Sequence, residues 1–256
     1  MARLKTASFD DRLTLVEHLD ELRTRIIVSI AVLTVAVGLC FWQNHLLLDI
    51  ANNPLPPGHD EPTTLGPTEP FVTTLKLSAY AGILLALPIL LYQVYAFILP
   101  ALAPHEKRVI LPFVLSVPFL FIAGVVFSYF VVVPAAIKFL LSFNDTEFNV
   151  QIRASEYYGF FITTLMAVGL VFQAPLGILS LTRLGIVTPD QLAQNRRYAV
   201  LVIAIIAMLL PGTDPVTMIL CMVPLLILFE ASVQLSKVIG RPPVPGPPDR
   251  PAPDSH

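Results

Sequence analysis

The chain has 256 residues, 55% of them hydrophobic and only 13% charged, with a formal net charge of -2 and a mean hydropathy of +0.74. Soluble domains carry about 25% charged residues, and half that density leaves too little polar surface to coat a globule in water. The composition therefore excludes an ordinary soluble domain and points to a polytopic membrane protein. No basic patch with interleaved aromatics suggests nucleic acid. Cys40 and Cys221 each lie in an apolar run, match no metal spacing, and read as small buried hydrophobes.

Residues 1–13 are polar. Thr14-Leu15-Val16-Glu17 then has the form of a capping box, a hydroxyl with a carboxylate three residues on. Leu15, Leu19, Leu22 and Ile26 follow at helical spacing, with Glu17, Asp20, Glu21, Arg23 and Arg25 on other faces. Residues 1–25 are expected to hold an amphipathic helix at the membrane surface that runs into a first span over 26–42. The start of the chain is too charged, and its apolar run begins too late, for a cleavable signal peptide, so that span is expected to be retained.

Residues 51–70 are rich in Pro, Thr and acids, which rules out a membrane helix and predicts a structured or extended cap. Further spans are expected over 75–99, 109–133 and 157–181, with a polar connection over 142–156. Thr182 to Arg197 reads as a loop. Beyond it lie two short apolar runs, 198–210 and 216–229, each giving roughly 20 Å of helix against a ~30 Å hydrocarbon core. As a pair flanked by cations they read as a short spanning hairpin that thins the bilayer. Residues 26–237 thus form a six-helix membrane domain whose last two helices are short. The tail, 238–256, is Pro-rich and expected to be disordered.

Six spans put both termini on one side. Arg3, Lys5, Arg12, Arg23, Arg25, Lys107, Arg108, Arg183, Arg196, Arg197, Lys237, Arg241 and Arg250 share that side, against Lys76, Lys138 and Arg153 on the other. The positive-inside rule then makes both termini, and the Pro100–Arg108 tip, cytoplasmic. Pro88, Pro112, Pro118, Pro175 and Pro224 fall inside spans, where each kinks its helix. Several kinked helices packed together favour a cupped, concave wall.

No Walker-type loop, His-Glu-x-x-His or Gly-x-Ser-x-Gly occurs, and His18, His45, His59, His105 and His256 lie in loops, at borders or in the tail. Enzymatic chemistry, a catalytic residue, a cofactor and a bound metal are not expected. Two carboxylates on the cytoplasmic face remain, Glu21 and Glu106. The plainer reading of Glu21 is an i,i+4 pair with Arg25, and of Glu106 a first-turn acid against a helix dipole. Polar groups at membrane depth are few: Gln93, Gln173 and Glu230, the last close enough to the edge to snorkel. Arg196-Arg197 is internal, precedes no cleavable segment, and reads as a topology-setting charge.

His18-Leu19-Asp20-Glu21-Leu22-Arg23-Thr24-Arg25, Leu91-Tyr92-Gln93-Val94-Tyr95-Ala96-Phe97, Pro100-Ala101-Leu102-Ala103-Pro104-His105-Glu106-Lys107-Arg108 and Tyr129-Phe130-Val131-Val132-Val133-Pro134 together resemble the TatC family. That family is the multispanning receptor subunit of the twin-arginine protein translocase, and the resemblance runs in order from about Leu13 to Lys237. It implies an all-α, glove-like fold of six helices, multi-pass in the cell inner (cytoplasmic) membrane. It also implies export of folded proteins driven by the proton-motive force, together with single-span TatA-type and TatB-type partners in an oligomeric complex. By the same resemblance Glu21 and Glu106 bind the twin-arginine signal peptide, with Arg23, Phe97, Pro100, Lys107 and Arg108 as neighbours. Pro54, Phe71 and Asp214 then fall at far-side positions that shape the cap and the last hairpin.

Guanidinium suits such a site because it offers carboxylate a planar, two-pronged set of donors that ammonium lacks. Two departures from the family pattern stand out. Many relatives carry a glutamate before the fourth-span proline, where this chain has Gln173-Ala174-Pro175, a polar site that cannot ionise. Around the last hairpin, Pro211 and Met218 stand where some relatives use polar residues to seat a TatB-type partner. The competing readings are a small-solute secondary transporter and a membrane scaffold. The transporter would want midplane ionisable groups and repeat-like halves, and neither is visible.

Overall fold

Inside a bilayer the backbone must satisfy its own polar groups, which leaves helices and closed barrels. This chain takes the helical route. The computed structural model describes residues 9–57, 62–98, 104–143, 147, 151–183, 187–210 and 214–239, with side chains described for all but 9–18, 98, 104–114, 183 and 238–239. The elements are α1 (Phe9–Trp42), α2 (Asn44–Asn52), α3 (Glu69–Ile98), α4 (Pro104–Phe127), a π-helical turn (Ser128–Val132), α5 (Val133–Ser142), α6 (Ala154–Val171), α7 (Ala174–Arg183), α8 (Pro189–Gln194), α9 (Arg196–Leu209) and α10 (Pro215–Ile239). Among the described residues, extended pairing is limited to an isolated bridge between Thr63 and Arg153.

Among the described residues, five stretches are long and apolar enough to cross a membrane: Leu19–Trp42, Glu69–Phe97, Leu115–Ser142, Ala154–Thr182 and Pro215–Lys237. Half of the most apolar window of Ala154–Thr182 is buried against 11% in Leu19–Trp42, so α6 and α7 are central and α1 is peripheral. Trp42 and Leu209 are 82% and 79% exposed, which water would penalise and hydrocarbon does not. α1 packs on α3, α3 on α4 and α6, and α10 on α7 and α9. Two crossings, α1 on α3 and α4 on α6, need glycine. A Cβ on Gly82 would sit 2.5 Å from the Val37 Cα, and one on Gly124 would sit 2.9 Å from the Gly169 Cα, so these backbones approach as closely as small residues allow.

Several sequence expectations shift. The helix expected from Thr14 begins at Phe9, so Thr14 lies within α1 and not at its cap, and α1 passes residue 25 without a break. The third span, expected to end at 133, continues through Pro134 to Ser142. Pro134 cannot donate to the carbonyl four residues back, and the backbone absorbs the mismatch as a π turn closed by Val133 N donating to Ser128 O. The fourth span, expected over 157–181, divides at Phe172 and Gln173, where Pro175 lacks the donor that would have reached Val171.

The last helix, expected as 216–229, runs to Ile239. Glu230 ends the apolar run but not the helix, because its carboxylate accepts from Arg196 Nη2 at 2.7 Å and Gln234 Nε2 at 3.0 Å. Only α9, with 14 residues, stays short, at about 21 Å. The expected loop 182–197 contains α8, whose capping box pairs Gln191 N with Thr188 Oγ1 at 3.2 Å and Thr188 N with Gln191 Oε1 at 3.0 Å. The expected tail falls outside the described residues from 240 onward.

The expected cap is built around α2. Its C-terminal carbonyls, orphaned as at any helix end, are taken by tyrosines from two other elements. Tyr129 Oη donates to Ile50 O at 3.0 Å, and Tyr157 Oη donates to Ala51 O. Tyr158 Oη donates to Asn52 Oδ1 at 2.8 Å. Ala51 and Leu55 are buried in the same cluster as Leu77, Val133 and Phe161.

Candidate functional site

α1 and α3 run antiparallel, so the N-terminal half of α1 meets the C-terminal end of α3. Glu21 and Arg25 are one helical turn apart on α1, and the turn brings them together as an ion pair. Arg25 Nε and Nη2 donate to Glu21 Oε1 at 3.0 and 2.6 Å. The same guanidinium reaches across to α3, where Nη1 donates to Gln93 Oε1 at 2.8 Å and Nη2 to Ala96 O at 3.3 Å. Both charged side chains are partly buried, with exposures of 23% for Arg25 and 31% for Glu21.

The structure brings some expected residues to this point and leaves others outside its description. Phe97 follows Ala96 at the end of α3 and is half-buried; Arg23 is exposed on α1. The backbone of Glu106, Lys107 and Arg108 lies in the first turns of α4, but their side chains are outside the described residues. Pro100 lies outside them altogether. The Gln93–Arg25 link is a contact at this point that sequence reasoning missed. Each residue stood out separately, one as a polar group at depth and the other as a partner for Glu21, but nothing local joins positions 68 apart.

Gln173 sits at the α6–α7 break, buried, with Nε2 donating to Val117 O at 3.3 Å and no described partner for Oε1. At the opposite end of the helices, Glu69 ties two connections together. Its Oε1 accepts from Arg153 Nε at 2.8 Å and Ser155 Oγ at 2.7 Å, and its Oε2 accepts from Leu65 N at 2.8 Å. That carboxylate raises the Arg153 pKa above its ordinary value, first through the hydrogen bond and then through its charge. The network lies at the edges of two polar connections; in the sequence Arg153 was noted only as a far-side cation, and Glu69 not at all.

Pro54 lies in the turn after α2 and lines a cavity of about 490 Å³ with Pro56, Pro134 and Lys138. Phe71, in the first turn of α3, is exposed. Asp214 is buried and caps α10, accepting from Thr217 N at 2.7 Å. A second cavity, about 570 Å³, opens between α7, α8, α9 and α10 and is lined mainly by apolar side chains, with Gln191, Asn195 and Tyr198 among them. No cluster of potential metal ligands exists among the described residues.

The family model described as Sec-independent protein translocase protein (TatC) matches residues 17–224. The chain belongs to the TatC family. It is 36% identical to the Sec-independent protein translocase protein TatC of Aquifex aeolicus over 231 residues, covering 89% of this chain and 96% of that protein. The TatC of Deinococcus radiodurans is 39% identical over 250 residues, 94% of this chain and 92% of that one. The chloroplastic TATC of Arabidopsis thaliana is 36% identical over 233 residues, 91% of this chain and 68% of that protein. Two crystal structures of the twin arginine translocase receptor TatC superpose with TM-scores of 0.72 and 0.73 at 36% identity. They cover 88% and 85% of this chain, and 100% and 98% of their own. Membership in TatC makes the chain a multi-pass membrane subunit of a twin-arginine translocase complex, and not an enzyme.

Proposed function

We propose that Glu21 and Glu106 receive the two arginines of a twin-arginine signal peptide at the cytoplasmic face, with Arg23, Phe97, Pro100, Lys107 and Arg108 around them. One observation carries this reading: the Glu21 carboxylate already holds a guanidinium through two donors, at 2.6 and 3.0 Å, at the edge of the membrane domain. A side chain that accepts one guanidinium in a half-exposed setting is shaped to accept another. Each charged hydrogen bond contributes about 1.5–3 kcal/mol, less where water competes, so two arginines suit a reversible contact.

The rest of the reading follows from that site. Six spans with both termini in the cytoplasm place Glu21 and Glu106 where a signal arrives in a bacterial inner membrane. Single-span TatA-type and TatB-type partners complete the complex, and the proton-motive force drives export of the folded cargo. The apolar stretch of the signal lies against the concave wall that the kinked helices form. Among the described residues, the one charged side chain in the buried class is Asp214, a helix cap, and no observation favours a solute pathway.

Glu21→Ala or Glu106→Ala, inserted normally, is expected to lose photo-crosslinking to a twin-arginine signal. Normal crosslinking by the double variant would remove the site assignment. Export of a folded reporter after gene deletion and complementation separates translocation from a scaffold role.

A further inference from the structure

Arg25 does more than neutralise Glu21. Its guanidinium has three faces in use: one toward Glu21 on its own helix, one toward the Gln93 amide oxygen, and one toward the Ala96 carbonyl on α3. An i,i+4 pair that served only α1 would have no need of the other two. Gln93 is partly buried, and a polar side chain at that depth needs a partner. The result is a cross-brace between the turn of α1 that carries Glu21 and the last turns of α3. α3 leads through a short connection into α4, whose first turn carries Glu106.

We propose that Gln93 and Arg25 form a positioning clamp that holds the Glu21 carboxylate in register with the α3–α4 end of the molecule, so that the two arginines of one signal are read as a unit. This rests on the assignment of Glu21 and Glu106 as the two acceptors. When two acceptors keep a fixed spacing, the second arginine binds as an intramolecular step at high effective concentration. When the brace is loose, each acceptor still takes a guanidinium, but the second one gains little from the first. The clamp therefore acts on the advantage of two arginines over one and not on arginine binding as such. Arginine suits the bracing position because a lysine ammonium lacks the planar fork that here serves three acceptors at once.

The test uses the full-length protein in detergent or nanodiscs and three synthetic signal peptides carrying Arg-Arg, Lys-Arg or Arg-Lys. The quantity read is the ratio of Arg-Arg affinity to single-arginine affinity, from which any loss of folded protein cancels. In Gln93→Leu the ratio is expected to fall by about tenfold, the equivalent of one charge-assisted hydrogen bond, while single-arginine binding changes by less than about threefold. Arg25→Lys is expected to lower the ratio similarly, and the double variant to do no more than either single one, because both remove the same brace. A ratio that stays at the unsubstituted value in Gln93→Leu overturns the clamp. So does loss of all peptide binding in a variant that keeps its thermal midpoint. Glu21→Gln with Glu106→Gln in the same assay tests the acceptor assignment separately: if that pair still binds Arg-Arg normally, the acceptors are wrong whatever Gln93 does.

Discussion

Gln173 shows how much of a buried polar residue is inheritance of shape and how little is charge. It lies where the helix breaks before Pro175, donates once to Val117 O, and leaves Oε1 without a described partner. An amide there cannot ionise, so no step that requires charge at this position operates in this chain. Leucine at this position loses one weak buried hydrogen bond but also removes an unpartnered acceptor, so the two effects largely offset each other. Gln173→Leu is accordingly expected to change stability by no more than about 1 kcal/mol, read as the midpoint of thermal aggregation in detergent, and to retain export of a folded reporter. A large loss in either would show that the amide oxygen binds something outside this chain. Glu21 is the contrasting case. Its i,i+4 pairing with Arg25 was legible from spacing, whereas the reach of the same guanidinium to Gln93 was not, because hydrogen bonds across helices leave no mark in local sequence.

Among elements, the crossings are set by glycines as much as by the large apolar side chains. α1 has few buried residues and is held to α3 by close backbone approach at Gly82, where an added Cβ would meet the Val37 backbone. A backbone atom cannot swing away, so Gly82→Ala must push the two helices apart at a cost of about 1–3 kcal/mol. Gly38, on the same helix as Val37, has nothing within 4 Å of its would-be Cβ. There Gly38→Ala is expected to be neutral or stabilising by up to about 1 kcal/mol, since alanine loses less backbone freedom on forming a helix. Thermal midpoints of the two variants in one detergent decide the matter, and equal losses would mean the α1–α3 distance is not glycine-limited. The prolines teach the same lesson from the other side. Pro175 was readable as a disturbance, whereas Pro134 lay just beyond the span expected to end at 133. What each disturbance became, a π turn that aims Tyr129 at α2 or a break that buries Gln173, depended on which neighbours were there to take the freed groups.

At the scale of the whole molecule, its two ends are built differently. Among the described residues, the end with Glu21 is joined by separate guanidinium contacts, Arg25 with Glu21 and Gln93, and Arg196 with Glu230. The opposite end is closed by a network, in which the connection before α3 and the connection before α6 share the Thr63–Arg153 bridge and the Glu69 carboxylate with its three donors. Glu69→Gln keeps the shape but removes the charge, and is expected to lower the thermal midpoint by a few degrees while leaving signal-peptide affinity unchanged. Exchanging the charges, Glu69→Arg with Arg153→Glu, should restore only part of that loss, because Ser155 Oγ and Leu65 N would no longer meet an acceptor. Full restoration would mean that the ion pair alone, and not the donor set, closes this end.

The sequence by itself determined the environment, the helical class, the presence of four long apolar runs and the shortness of α9, because apolar run length and charge placement answer directly to the bilayer, and its motifs carried the family. It also singled out Glu21, Gln93 and Gln173, since polar groups in or beside hydrocarbon are conspicuous, while Asp214 came only from the family resemblance. Tertiary structure alone decided which of them meet. It continued α10 beyond Phe229 because Arg196 is there to pair with Glu230, and it closed the end of α2 with tyrosines from the π turn and α6. It also set Arg25 between Glu21 and Gln93. The physical reason is common to all of these. A hydrophobic run specifies that a segment is buried in lipid, while a polar side chain in that setting is completed only by a partner that packing brings from elsewhere in the chain.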